Sequence, residues 1–530
     1  MKRGNAIILT VWTFVITLQC YSQKVESNNR GELLFTQLDP SASNIYFHNQ
    51  LHQTKQDNIF VYKGFYKGGG VAIGDINNDG LLDIYFTGNQ VGDKLYLNKG
   101  NLKFEDITLA AGILDKGGWS THVSMVDINN DGFKDIYVCK SLYDGREDLR
   151  ENELYINNGD LTFSESAVKY NLNDRNRTTE ANFFDFDRDG DFDVFLVNQP
   201  KNSSFMAPAN DEEKITPTQN YRLLENINNR FFETSDNGGV SNFGYGLSSS
   251  IADYNNDGWQ DIYVANDYLG PDFFYINNGN GTFTNKIYEN IKHTSYFSMG
   301  TDVGDINNDG WFDFVVLDMV AEDNYRLKSN MSSMNPAEFW NNVSRGGHYQ
   351  YMFNTLQLNN GFDVHGDMLF SEIAQMAGIS STDWSWSPLL ADFDNDGHLD
   401  LFVTNGIRHE IGNTDALKKL DEYVGGIDTN YNKEGDKNFD VWKYANLEKM
   451  LSFFPSDRIQ NYMYRNTNGL KFEKVSDKWG LSQKTFSTGA AYGDLDNDGD
   501  LDLVVNNIDE VAHIYRNNTS EKKKNNYLRI

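Results

Sequence analysis

Seven times the chain repeats the pattern Asp-x-[Asp/Asn]-x-Asp-Gly-x-x-Asp, beginning at Asp75, Asp127, Asp185, Asp253, Asp305, Asp392 and Asp494. Each copy offers oxygen ligands on one side of a tight turn. Position 3 is Asn77, Asn129, Asp187, Asn255, Asn307, Asp394 or Asp496, and position 5 is Asp79, Asp131, Asp189, Asp257, Asp309, Asp396 or Asp498. Glycine at position 6 permits the bend. Position 7 offers a backbone carbonyl from Leu81, Phe133, Asp191, Trp259, Trp311, His398 or Asp500. Asp83, Asp135, Asp193, Asp261, Asp313, Asp400 or Asp502 closes the shell at position 9. Hard oxygen ligands without a His or Cys side chain suit Ca²⁺ better than zinc or copper, and Mg²⁺ prefers to keep its waters. The expected cofactor is calcium, up to seven ions. The plainer reading is a metal-free Asp/Asn/Gly turn. Such a turn needs one or two of these residues, not a fixed set of ligands.

The flanking residues decide what positions these loops. An EF-hand needs Glu at position 12 and helices on both sides. Here position 12 is Phe86, Val138, Leu196, Val264, Val316, Val403 or Val505, always apolar. Strand-like runs stand before the loops, as in Val71-Ala72-Ile73-Gly74, and after them, as in Asp261-Ile262-Tyr263-Val264. A second repeat lies between loops: Leu95-Tyr96-Leu97-Asn98-Lys99-Gly100 with Phe104, and Leu154–Gly159 with Phe163. Phe274–Gly279 with Phe283, Leu356–Gly361, and a looser copy at Tyr462–Asn466 with Phe472 follow the same plan. Each reads as strand, Asn/Gly turn, strand. One unit thus holds about four strands, which is a propeller blade, and seven units fall in the usual range. The expected fold is all-β, a seven-bladed β-propeller with calcium-binding loops and a few helical insertions. Loop spacings of 52, 58, 68, 52, 87 and 102 residues place the insertions at about 319–352 and 406–456. Few residues follow the last loop, so blade seven is expected to borrow a strand, with Asn44-Ile45-Tyr46-Phe47 the named donor.

The seven loops resemble the FG-GAP/VCBS repeats of integrin alpha-chain propellers. Gly68-Gly69-Gly70-Val71-Ala72-Ile73-Gly74-Asp75 resembles the opening of secreted ASPIC/UnbV-type VCBS-repeat proteins, related to cartilage acidic protein. The resemblance covers roughly residues 40 to 517. Phe297-Ser298-Met299-Gly300 and Phe486-Ser487-Thr488-Gly489 keep an aromatic and a glycine but lack Gly-Ala-Pro. In that type a further domain follows the propeller, and Asn526-Tyr527-Leu528-Arg529-Ile530 looks like its first strand. The expected order is therefore signal peptide 1–22, lead-in 23–43, propeller 44–517, and linker plus first strand 518–530.

Met1-Lys2-Arg3, the apolar run Ala6–Leu18 and Cys20-Tyr21-Ser22 compose a leader cleaved after Ser22. A secreted, periplasmic or cell-surface location follows. A lipid anchor on Cys20, and with it surface association, is disfavoured by Gln19 before it. Cys139 reads as a buried strand residue. The 46 basic against 76 acidic residues leave a net charge of −30, which argues against nucleic-acid partners. No later run is long and apolar enough to span a membrane.

Recognition has weaker signatures. Trp119, Tyr245, Phe297, Trp384 and Phe486 each stand eight residues before a loop, either packing between blades or forming an aromatic ring at the channel; packing is favoured. Met331, Met334, Phe339, Trp340, Arg345, His348, Tyr349 and Tyr351 crowd the first insertion, and amphipathic stretches at Thr414–Tyr423 and Val441–Phe454 mark the second. Both insertions are either structural caps or the ligand surface. There is no His-Glu-x-x-His, Gly-x-Ser-x-Gly, Walker A or dinucleotide motif. The leading expectation is a monomeric calcium-binding module for an extracellular carbohydrate or protein ligand, with no catalytic residue assigned. The alternatives are a propeller-fold polysaccharide lyase or hydrolase using rim carboxylates with Arg408 or His409, and a scaffold for an ASPIC/UnbV-type domain.

Overall fold

Strand runs alternating with Asp, Asn and Gly turns build seven four-stranded antiparallel sheets in the computed structural model. It describes residues 33–114, 116–143, 145–200, 221–267, 270–330, 335–431 and 441–522. The inner strands are Val71–Gly74, Trp119–Val126, Arg177–Phe184, Tyr245–Ala252, Thr301–Gly304, Ser385–Ala391 and Ser487–Gly493, each beside the next, with the seventh returning to the first. This is a closed seven-bladed propeller. Each loop of the repeated motif joins an inner strand to the second strand of its blade, as expected.

The ring closes differently from expectation. Phe35–Gln37, not Asn44–Phe47, is the outer strand of blade seven, with Phe35 opposite Asn517 and Gln37 opposite Tyr515. The propeller therefore begins within the segment expected to be a lead-in. Ile45 and Phe47 alternate like strand residues, but they are buried in the wedge between blades seven and one, where Phe47 stacks on Phe86 at 4.9 Å. Alternating burial looks the same from sequence whether a segment pairs with a sheet edge or fills a wedge. The expected leader at 1–22 and the expected strand at 526–530 lie outside the described residues. Residues Thr519–Lys522 are a short helix, and Thr519 Oγ1 donates to the Phe393 carbonyl at 3.2 Å, so this stretch packs on the propeller.

Antiparallel order puts the acidic loops at one end of the ring. The connections after each second strand lie at the other end, and both insertions are of that kind. A clasp recurs there in five blades. The N–H just past the second strand or at its end donates to an Asp or Asn side chain at the foot of the third: Gly88 to Asp93, Lys140 to Asn152, Asn266 to Asp272, Asp318 to Asn354 and Asn405 to Asn461, at 2.7–2.9 Å.

The first insertion carries helices Asn324–Ser329 and Pro336–Ser344; Met331 and Met334 lie outside the described residues. The second carries Thr414–Tyr431, a turn at Val441–Lys443 and Leu447–Leu451. Ala416, Leu420, Met450 and Phe454 are buried with Ile59, Phe60, Phe65 and Tyr66 of the N-terminal segment, over Trp119, Trp384 and Phe486. Phe297 packs half-buried on the same cluster, and Tyr245 pairs with Phe243. Trp119, Trp384 and Phe486 are core, and the second insertion caps them; Phe297 and Tyr245 are half-buried. Cys139 is buried in the second strand of blade two.

Candidate functional site

Each acidic loop is folded by its own carboxylates. At position 1, one oxygen accepts the N–H of position 5, at 2.9–3.2 Å in all seven loops. The other accepts the N–H of the glycine, at 2.7–3.2 Å. Position 5 accepts the N–H of position 7. These are local Asp and Asn turns, which free the remaining oxygen lone pairs to face one point. Position 4 takes the left-handed conformation throughout, with φ of 52–62° for Asn78, Asn130, Arg188, Asn256, Asn308, Asn395 and Asn497.

The position 9 carboxylates are buried, and both oxygens have backbone partners. One accepts the N–H of position 2 at 3.0–3.2 Å. The other accepts the N–H of an asparagine on the third strand at 2.7–2.9 Å. Burial pushes Asp83, Asp135 and Asp313 up to about 7 and Asp193, Asp261 and Asp400 up to about 8. The backbone donors oppose this shift, while neighbouring loop acids add to it. Asp502 is raised well above the carboxylate range for the same reason.

Those third-strand asparagines read from the sequence only as hairpin turns, and the structure shows that they also join neighbouring blades. In six blades the side-chain amide crosses to the position 2 carbonyl of the preceding blade's loop, at 2.8–2.9 Å: Asn98, Asn157, Asn277, Asn359, Asn466 and Asn517. A second crossing runs the other way. The position 4 asparagine donates to the glycine carbonyl of the next loop at 2.9–3.3 Å, from Asn78 to Gly132 around to Asn497 and Gly80. Blade three alone carries Arg188 there, and its guanidinium lies over the Trp259 ring at 5.0 Å. The seven loops form one stitched ring, in which blade three alone makes neither crossing: the Asn226 amide donates to Phe192 of its own loop.

The loops differ in charge. Carboxylate oxygens of Asp185, Asp187 and Asp193, of Asp392, Asp394 and Asp400, and of Asp494, Asp496 and Asp498 each converge to within 4.8 Å of one another. Buried oxygens of Asp191, Asp496 and Asp500 have no hydrogen-bond partner. Arg465 leans onto Asp394 and Asp396 at 2.8 and 2.6 Å, and Arg516 onto Asp496 and Asp498 at 3.0 and 3.2 Å. Blade three has Glu225 at the matching position, and burial with neighbouring acids raises Asp191 to about 6. In blades one, two, four and five, the position 3 asparagine donates to the position 5 carboxylate instead.

At the opposite end, Arg408, His409 and Glu410 do not act as a cluster. Glu410 is buried against Arg326, Arg408 pairs with Asp509 at 2.6 Å, and His409 lines a cavity. Among the described residues no helix is long and apolar enough to cross a membrane.

The FG-GAP-like repeat family profile matches residues 75–138, 217–316 and 451–505. Cartilage acidic protein 1 of Mus musculus is 22% identical over 401 residues, covering 64% of this chain and 57% of that protein. The Homo sapiens protein is 21% identical over 453 residues, covering 77% of this chain and 63% of its own. The chain thus spans about 57–63% of the length of these curated relatives. Among solved structures, an Agrocybe aegerita lectin described as recognising non-reducing terminal N-acetylglucosamine matches with a TM-score of 0.39 and 14% identity, over 79% of this chain and 84% of that one. This chain is a seven-bladed β-propeller that carries FG-GAP-like repeats in those three stretches and is similar to cartilage acidic protein 1.

Proposed function

We propose that this is an exported, monomeric, calcium-stabilised binding module that takes an extracellular carbohydrate or protein ligand at the end opposite its acidic loops. The observation that carries the metal reading is the set of spare carboxylate oxygens. Three loops bring acids within 4.8 Å of one another, and an oxygen of Asp496, at position 3, is buried without a partner. An all-oxygen set at this spacing fits Ca²⁺. The side chains at positions 1, 3, 5 and 9 and the carbonyl of position 7 would hold it. Calcium would supply charge neutralisation and a cross-link within each loop, with seven ions changing the formal charge from −30 to −16. Export rests on the leader, and a monomer on the closed ring, which leaves no sheet edge at its seam.

Melting with and without chelator tests the metal. A ligand at a hundredfold its Kd adds about 2.7 kcal/mol per site. Chelation is therefore expected to lower Tm by more than 10 °C, and an unchanged Tm after thorough chelation would sink the calcium reading. The calcium-loaded chain on an array of glycans and extracellular proteins tests the ligand; retention on none of them would remove the binding-module reading.

A further inference from the structure

Beside the second insertion lies a cavity of about 750 Å³, within the range of small-ligand sites. Its wall includes Arg326, Arg408, His409, Asp457, Arg458 and Lys484. We infer that this cavity receives an acidic saccharide, whose carboxylate or sulfate is taken by Lys484, Arg458 and Arg408. The inference rests on the extracellular-ligand reading above and names the ligand class for it.

The cationic groups are held in place before any ligand arrives. Arg408 Nε donates to Asp509 at 2.6 Å, and its Nη1 donates to the Leu51 carbonyl at 3.0 Å. Arg458 is paired with Glu510 through one Nη, and its guanidinium lies 5.3 Å from the Phe486 ring centre. A guanidinium carries five N–H donors, so each of these retains donors in a fixed fork that matches a carboxylate or sulfate. Lys484 is exposed and has no ion-pair partner among the described residues. His409 lines the same cavity, and its buried Nδ1 has no hydrogen-bond partner. Burial and the nearby Arg408 charge hold that imidazole neutral, able to donate or accept at Nδ1 according to its tautomer.

The charge pattern selects among anions. Asp383, Glu410, Asp509 and Glu510 stand behind the three arginines, so the wall is not a broad positive field that would gather any polyanion. Lys484, exposed and without an ion-pair partner among the described residues, is free to take one anionic group at a time. Asp457, mostly exposed on the rim, adds an acceptor for hydroxyl donors. One anionic group with hydroxyls around it is the signature of a uronate or a sulfated sugar. An acidic peptide offers no comparable set of hydroxyls.

The test is calorimetric titration of the calcium-loaded full chain with four probes: trigalacturonate, a chondroitin sulfate tetrasaccharide, neutral maltotriose and polyglutamate. One or both acidic saccharides are expected to bind, and the two arms separate carboxylate from sulfate. Lys484→Ala should weaken that binding about tenfold with Tm unchanged, and Lys484→Arg should restore it. Binding of maltotriose or polyglutamate alone would overturn the inference while leaving the binding-module reading intact, as would acidic-saccharide binding insensitive to Lys484→Ala. Binding of no probe would also overturn it, and the wider array would then decide the binding-module reading separately.

Discussion

The two ends of the propeller use one architecture in opposite ways. At the acidic-loop end, eight residues always separate the strands, and the carboxylates at positions 1, 5 and 9 accept the same backbone N–H groups in seven places. Its bonds reach only its own loop, the adjacent third strand or the neighbouring loop. At the other end, the strands are also clasped, but the span between the clasped residues is free to vary. Gly88 and Asp93 are five residues apart, whereas Asp318 and Asn354 are 36 apart, and Asn405 and Asn461 are 56. Stability is thus distributed over repeats at one end, while the other builds its surface from contacts that occur once. A clasp that spans from five to 56 residues lets the connection lengthen without disturbing the ring.

The sharpest way to break this contrast is to remove a contact that occurs once. Arg326 donates to both oxygens of Asp383, at 2.6 and 2.9 Å, and also to Glu410. Asp383 and Glu410 are 5% and 3% exposed. Arg326→Ala would leave two buried carboxylates without their cation, at a cost of about 3–5 kcal/mol. Urea melts followed by tryptophan fluorescence should show that loss. A loss below about 1 kcal/mol would mean the insertion end is not held by such single contacts.

A pair of variants in one loop sharpens the other side of the comparison. Asp261 is wholly buried and accepts from the N–H groups of Tyr254 and Asn277 at 3.1 and 2.8 Å. Asp261→Ala should cost about 2–4 kcal/mol in chelator, because two buried donors are orphaned, and more in calcium, because a metal ligand is lost with them. Asp257 is exposed, and its charge matters chiefly if a cation is bound. Asp257→Ala should cost about 2 kcal/mol in calcium and under about 1 kcal/mol in chelator. Equal losses in both conditions for Asp257→Ala would remove it from the metal shell.

Fixed spacing explains what was legible. The nine-residue motif and the apolar position 12 pointed to seven blades and to the loop residues, because each set lies within one short turn. The third-strand asparagines were invisible for the opposite reason. Asn98 and Asn517 lie 15 residues beyond their aspartates, but Asn226, Asn359 and Asn466 lie 33, 46 and 66 beyond theirs. An Asn-Gly pair reads locally as a hairpin, and nothing local reveals that its amide crosses to another blade. The closing strand was misplaced because Ile45 and Phe47 show strand alternation, whereas Phe35-Thr36-Gln37 is too short to show any. The cavity wall is drawn from residues 326 to 509, so its assembly depends on closure of the ring and not on any motif.

The smallest expected effect tests the single exception in the stitched ring. Asn256 donates to the Gly310 carbonyl at 3.0 Å from a left-handed backbone, so Asn256→Ala should lose about 1–2 kcal/mol through the bond and the strained alanine. Arg188 occupies the equivalent place in blade three at φ 62°, beside Gly258 of the next loop. Arg188→Asn would put a residue that tolerates this conformation where its amide can reach the Gly258 carbonyl. The change forfeits the stacking on Trp259, worth about 0.5–1 kcal/mol at such a site. Relief of backbone strain and the new bond should exceed that, for a net gain of about 0.5–1 kcal/mol in paired urea melts. A loss of similar size would instead show that the guanidinium–indole contact joins blades three and four as well as an amide bond joins the rest.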